Sequence, residues 1–401
     1  MPSGSEPKPS MTSICSKEQC TGCHACAAAC PHQAIRMQPD ALGFLYPVID
    51  ERLCTKCGAC SQSCPALHVP PLQIPKRCYA AVLPDREDLL RSPSGGAATA
   101  FARMVIAQGG VVYGACGEDI FHVRHIRIDR PEEVERIRGS KYVQSDVEGI
   151  YPSVQRDLQK GLKVLFTGTP CQVGGLKGYL QREYNNLLTV DLVCHGVPSQ
   201  QMLNEDISHF TREKDGRKIK VEFRRKTAAG RSFDHYAGNR IEYGWYLTDP
   251  PRYIERRKYE ESYIFAFIQG LSQRESCYHC PYATVRRVSD ITVSDFWGLG
   301  PDVPFQRGDG VSCCLLHTTK GALFFEQAKE SLQVVERDVR EAILGNRNLR
   351  RPTIPHPARA KFSALYPKVG FKRAVNRCLY RLRLKLAWQR MVRNLKNRLR
   401  L

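Results

Sequence analysis

Eight cysteines fall into two matching runs, Cys20-Thr-Gly-Cys23-His-Ala-Cys26-Ala-Ala-Ala-Cys30-Pro31 and Cys54-Thr-Lys-Cys57-Gly-Ala-Cys60-Ser-Gln-Ser-Cys64-Pro65. Each reads C-x2-C-x2-C-x3-C-P. Three thiolates within seven residues wrap three corners of an iron–sulfur cube, while the fourth, at the start of a helical turn, faces the neighbouring cube. By that crossover one 4Fe-4S cluster takes Cys20, Cys23, Cys26 and Cys64, and the other takes Cys54, Cys57, Cys60 and Cys30. Soft thiolates in this arrangement hold clusters that pass one electron at a time. Tetrahedral zinc sites also use C-x2-C pairs, but they need only four thiolates per ion and no helix-proline repeat.

Four further cysteines invite the same question. Cys171 and Cys194 each follow an apolar strand, and Cys277 with Cys280 forms a C-x2-C pair flanked by Arg274 and Pro281. A third 4Fe-4S site arises if the two strand-end loops meet the later segment; simple burial of small apolar side chains is the alternative. Cys313 and Cys314, inside an apolar run, read as packing. Cys15, Cys78, Cys116 and Cys378 have no matching partners by spacing and receive no role. Non-metal chemistry has its own candidates. Ser92-Pro-Ser94-Gly95-Gly96 opens a helix with hydroxyls and glycines, which suits either an anion at the helix start or a plain cap. Thr167-Gly168-Thr169 lies in a turn directly after a strand, where open α/β sheets bind ligands. His195 is the candidate for proton delivery, with a backbone-satisfied loop histidine as the alternative. Asp290 and Asp295 are equally open.

These groups need elements to position them. Residues 1–13 form a polar leader, 14–67 the Cys-dense unit, and 68–76 an extended Pro-rich linker, since clustered prolines exclude a helix. Residues 77–345 alternate strands, at 110–116, 163–167 and 187–193, with helical stretches at 94–108 and 145–160. That alternation predicts an α/β fold: a small N-terminal two-cluster module, a larger mixed α/β domain and a basic helical C-terminal tail over 346–401.

The Cys-dense unit resembles bacterial two-cluster ferredoxins. Arg91-Ser-Pro-Ser-Gly-Gly96, Gly139-Ser-Lys141-Tyr142-Val-Gln144-Ser145, Gly168-Thr-Pro-Cys171-Gln172, Cys194-His195-Gly196-Val-Pro198-Ser199, Ser276-Cys277-Tyr-His-Cys280 and Ser289-Asp290-Ile-Thr-Val-Ser-Asp295-Phe296-Trp297-Gly298 together look like the coenzyme F420 hydrogenase/dehydrogenase beta subunit family. The resemblance runs from about Cys20 to Gly321. Ser294 departs from it, standing where the family usually has Gly. The resemblance implies a flavin, FAD, in the larger domain, exchanging electrons with the clusters. It implies cofactor-binding roles for Ser92, Ser94, Gly95, Gly96, Lys141, Tyr142, Thr167, Gly168 and Thr169. It further implies an oxidoreductase working between a ferredoxin or other redox partner protein and a small-molecule hydride donor or acceptor, organic or deazaflavin. Related proteins occur beside surface-polysaccharide enzymes, so a role in polysaccharide metabolism is among the readings. A noncatalytic electron-transfer subunit, or an adaptor on a membrane or nucleic acid with structural clusters, are the competing classes.

Charge narrows these classes. The 401 residues carry a net +20, of which the stretch from Ala342 to Leu401 supplies 17 Lys or Arg with no Asp or Glu. A charge so confined marks an appendage to a nearly neutral body rather than a nucleic-acid-binding surface. Phe371, Val375, Leu379, Leu382, Leu386, Met391, Leu395 and Leu399 fall close to one face of a helix over 371–401. Such a helix, basic and carrying Trp388, suits an anionic membrane or a partner protein, and nucleic acid is not expected. Neither an apolar signal core nor a spanning run is present, and eighteen thiols without an export signal point to metal ligation in a cytoplasmic protein, peripheral on the inner membrane face.

Overall fold

The computed structural model describes residues 14–211, 219–224, 243–248, 251–256 and 262–399. The leader 1–13 and residues 400–401 lie outside them. The described residues form thirteen strands: β1 Ile35–Pro39, β2 Leu45–Ile49, β3 Arg77–Val82, β4 Val111–Cys116, β5 Arg124–Ile128, β6 Val164–Gly168, β7 Leu187–Leu192, β8 Ile219–Glu222, β9 Tyr243–Thr248, β10 Pro251–Arg256, β11 Ile291–Asp295, β12 Ser312–Leu316 and β13 Gln333–Arg337.

Eight strands form the central sheet in the order β13-β3-β12-β11-β7-β6-β4-β5. The inner strands β4, β6, β7 and β11 run parallel, and antiparallel strands close both wings. Parallel neighbours are buried on both faces, so their sequences read as near-continuous apolar runs. The pleat sorts them. Val112, Leu165 and Leu188 turn to the core shared with the helices Ala97–Ala107 and Thr319–Ala328, while Val111, Tyr113, Val164 and Phe166 turn to Ile150–Gln159 and Pro170–Leu180. Because β4, β6, β7 and β11 are parallel, the loops after them, with Cys171, Cys194, His195 and Trp297, gather along one edge.

The Cys-dense unit is the hairpin β1–β2 with two four-residue helices, Ala25–Ala28 and Ala59–Gln62. It is docked rather than tethered: Cys23 and Ala25 belong to the core of the large domain, and Gln73 of the Pro-rich stretch pairs with Arg287. The seat is the helix Pro170–Leu180. A Cβ on its Gly175 would stand 2.9 Å from Cys23 Cβ, and one on Gly178 would stand 2.3 Å from the Ser63 carbonyl oxygen. Only glycine admits so close a backbone.

The basic tail departs from the appendage expectation. Arg359–Val369 and the 29-residue helix Phe371–Leu399 are helical. Phe371, Val375 and Leu379 are buried against the helices Gln200–Thr211 and Ser262–Ile268, and Leu382 and Leu386 pack partly on the same core. Their apolar face is core surface, and Met391 and Leu395 of that face are exposed. Beneath it Asp206 is pushed up to about 6 by burial, against the opposing charges of Lys372 and Arg383.

Candidate electron-transfer site

Three groups of cysteines are brought together. The first comprises Cys20, Cys23, Cys26 and Cys64, which line one cavity with Cys15. Both runs contribute, because Cys64 arrives from the second and the other three from the first. The Cys64 thiol donates to the Cys15 sulfur at 4.0 Å, and hydrogen bonding with Cys15 chiefly pulls the Cys20 and Cys64 thiols down to about 6. Burial instead pushes Cys23 up to about 12. The sequence assigns Cys15 no role; five residues before Cys20, it has no spacing signal.

The second group, Cys30, Cys54, Cys57 and Cys60, lines another cavity with Lys56 and His32 at its rim. Here Cys57 is exposed. The remaining lining is largely apolar, with Ile35 and Ile49 from the hairpin and Ala34 beside them.

The third group stands at the carboxyl edge of the sheet. Cys171 lies in the first turn of Pro170–Leu180, whose start is fixed by a reciprocal capping box between Thr169 and Gln172 and by Pro170 at the first position. Cys194 follows β7, and Cys277 lies within, and Cys280 directly after, a short 3-10 turn at Glu275–His279. The segment is pulled onto the β7 loop by the Arg274 amide donating to the Val197 carbonyl (2.9 Å). Burial is the main cause that raises Cys171 and Cys194 and lifts Cys277 to about 12 and Cys280 to about 11; the neighbouring thiols add to it at Cys194, where Cys277, Cys171 and Cys280 all disfavour ionisation, and Cys171 does so at Cys277 and Cys280. Simple burial would leave them dispersed through strands, as Cys313 and Cys314 are in β12, where packing is the outcome.

Among the described residues no three His, Cys, Asp or Glu side chains are arranged around a single metal ion. The donor chemistry of all three groups, four thiols apiece in mainly apolar surroundings, fits the cube.

At the same edge, the residues expected to hold a flavin are partly engaged. Ser94 Oγ donates to the Val311 carbonyl (3.0 Å), Thr167 Oγ1 to the Tyr113 carbonyl (3.1 Å), and Thr169 is spent on its cap. Gly95 has a packing reason to be glycine, since a Cβ would meet the Ala81 carbonyl at 2.1 Å. Gly168 packs closely on Phe166 and Gln172. Lys141 Nζ donates to the carbonyls of Ile137 and Arg138, both 2.8 Å. Tyr142 packs edge-on to Phe223. Two observations fit an anion there. The helix Ala97–Ala107 starts at Gly96, which has no capping side chain of its own, with Ser312 Oγ accepting from the Ala97 amide at 3.4 Å, and Ser92 Oγ is buried with no hydrogen-bond partner among the described residues. Sequence reading passes over Arg224, which pairs with Asp295 at 2.7 Å beside Tyr142 and adds a second cation to this edge. His195 stands edge-on to Trp297, and burial pushes its imidazole down to about 4, so it is neutral at neutral pH. Asp290 is absorbed structurally, accepting from the Thr189 amide and hydroxyl and from Thr318.

Two family models match the chain. The model for a 4Fe-4S dicluster domain matches residues 19–67. Residues 161–342 match the model for the C-terminal region of the beta subunit of coenzyme F420 hydrogenase/dehydrogenase. The chain carries an F420 hydrogenase/dehydrogenase beta-subunit-like domain joined to a dicluster domain. Among solved structures it is similar to a chain of the F420-reducing NiFe hydrogenase complex from Methanosarcina barkeri, at 18% identity and a TM-score of 0.45 over 68% of this chain and 86% of that one. No curated protein matches. The carboxyl edge of β6, β7 and β11 thus lies within the beta-subunit-like domain, and the two thiol cavities lie within the dicluster domain. No described helix is long and apolar enough to cross a membrane.

Proposed function

We propose that the chain is an iron–sulfur flavoprotein oxidoreductase that moves electrons between a redox partner protein and a small-molecule hydride donor or acceptor, with a deazaflavin as the first candidate. The gathering of Cys171, Cys194, Cys277 and Cys280 at the sheet edge, directly beside the docked dicluster unit, carries this reading. Cys20, Cys23, Cys26 and Cys64 would hold one cluster, Cys30, Cys54, Cys57 and Cys60 a second, and the sheet-edge thiols a third. Bound FAD supplies the exchange between a two-electron hydride and single electrons. The glycine start of Ala97–Ala107, with Ser92 and Lys141, would hold its phosphates. Tyr142 and Trp297 would exclude water, and His195, neutral, would accept or donate a hydrogen bond at the reacting edge rather than carry charge.

Anaerobic titration tests this. Reduced deazaflavin should bleach both flavin and cluster absorbance, and dithionite should do the same. A chain that binds clusters without flavin contradicts the proposal, and bleaching by one-electron donors alone reassigns the chain to an electron-transfer role. For localisation, the exposed stripe Tyr380, Leu384, Trp388, Met391 and Leu395 on the outward face of the basic helix supports contact with an anionic membrane surface. Binding to phosphatidylserine vesicles that survives Leu384→Ala/Trp388→Ala would count against it.

A further inference from the structure

Arg274, at 0% exposure, is with Arg287 the largest fully buried side chain among the described residues. A guanidinium in that position ordinarily meets a carboxylate. Here its partners are the Cys20 carbonyl (2.8 Å), the Leu45 carbonyl (2.6 Å), Gln144 Oε1 (3.1 Å) and the Cys20 sulfur (3.7 Å). It also lies over the rings of Tyr46 (4.3 Å) and Phe44 (5.5 Å). None of these is a carboxylate, and the adjacent Glu275 turns to Arg359 at 3.7 Å. The first cysteine run is shaped around this cation: a Cβ on Gly22, whose φ is +63°, would stand 2.8 Å from Arg274 Nη1. Gln144 completes the clamp by donating to the Thr21 carbonyl (2.8 Å).

A buried charge is stable when an opposite charge meets it. The nearest candidate is the thiolate of Cys20, and behind it the cluster that Cys20, Cys23, Cys26 and Cys64 would hold. We propose that Arg274 is a positioning residue that sets the reduction potential of this inner cluster. Accepting one electron adds one negative charge next to an otherwise uncompensated guanidinium, so the reduced form is favoured and the potential rises. Arg274 is also three residues before Cys277, and its amide and carbonyl hold the loops of the third thiol group, the carbonyl accepting from the Cys277 amide (3.0 Å). Arg274 stands behind the lining of the first cavity, on the Cys20 carbonyl and sulfur, whereas the charged residue at the second cavity is Lys56 in its lining. The inner site therefore becomes the lower-energy resting place for an electron entering from the outer one. This inference rests on the cluster reading above.

The test is potentiometric titration of the anaerobic full-length protein, followed by electron paramagnetic resonance, with Cys57→Ser identifying the outer signal. In the wild type the inner cluster should have the higher potential of the two. Arg274→Gln should shift the inner reduction equilibrium at least tenfold toward the oxidised form, about 59 mV for one electron, leaving the outer unchanged, and Arg274→Lys should restore most of it. A loaded Arg274→Gln protein with an unmoved inner potential, or with both potentials moved equally, overturns the proposal. If Arg274→Gln loses inner iron, Arg274→Lys decides: a tenfold fall despite the retained charge overturns it, and a potential within threefold of wild type supports it. A wild-type chain that binds no iron fails the cluster reading instead.

Discussion

The two thiol cavities of the dicluster unit come from one duplicated motif, and they face opposite surroundings. The inner one has Cys20, Cys23, Cys26 and Cys64 at 8 or 9% exposure, sits on the glycine face of Pro170–Leu180 and is clamped by Arg274. The outer one has an exposed Cys57, and its second-run cysteines other than Cys64 pack on little besides the β1–β2 hairpin. Identical spacing therefore fixes what can be bound, while docking fixes what each site is for. On the proposed function, the outer site is the one a partner protein would reach and the inner site the one that would hand electrons to the sheet edge.

The largest break in this comparison should come from single ligands. Cys23→Ser should remove about four irons and cut electron transfer between partner protein and substrate by at least about 100-fold. Cys57→Ser should cost the partner-driven rate as much, yet leave reduction of the remaining centres by dithionite intact, as measured by stopped-flow absorbance. Next in size is the seat itself. Gly178→Val places a side chain against the Ser63 carbonyl, at 2.3 Å for the first carbon, and overpacking of this kind costs about 1–3 kcal/mol. Calorimetry should then show the dicluster unit unfolding ahead of the large domain, where the wild type unfolds in one step. A smaller, kinetic difference should appear with an iron chelator: outer irons should leave several-fold faster than inner ones, because opening the inner site requires undocking. Smallest is Lys56→Glu at the outer rim, which should change the partner-driven rate up to about tenfold together with its salt dependence, and stability by less than about 0.5 kcal/mol.

What sequence could disclose follows the same line between local and distant constraints. The cysteine runs encode their own geometry, and the strands at 110–116, 163–167 and 187–193 announce themselves because parallel strands buried on both faces are continuously apolar. The capping box Thr169-Pro-Cys-Gln172 is equally local, and its spacing is there to be read. The meeting of Cys171, Cys194, Cys277 and Cys280 depends on sheet order and on a segment returning after β8, β9 and β10, so sequence leaves it open. Arg274 is visible only as a residue flanking a C-x2-C pair, since its role depends on Cys20, which is 254 positions away. The tail misleads for a related reason: a basic amphipathic helix has the same pattern whether its apolar face meets a membrane or, as Phe371, Val375 and Leu379 do, a groove between helices of its own chain.

The central claim is that three groups of four thiols serve one electron path to a flavin. Metal and flavin quantification on the anaerobically purified chain tests it most directly. The account predicts about twelve irons and one flavin per chain, falling to about eight irons in Cys277→Ser. Eight irons in the wild type, unchanged in Cys277→Ser, would contradict the sheet-edge centre, and a colourless zinc-loaded protein would contradict the account as a whole.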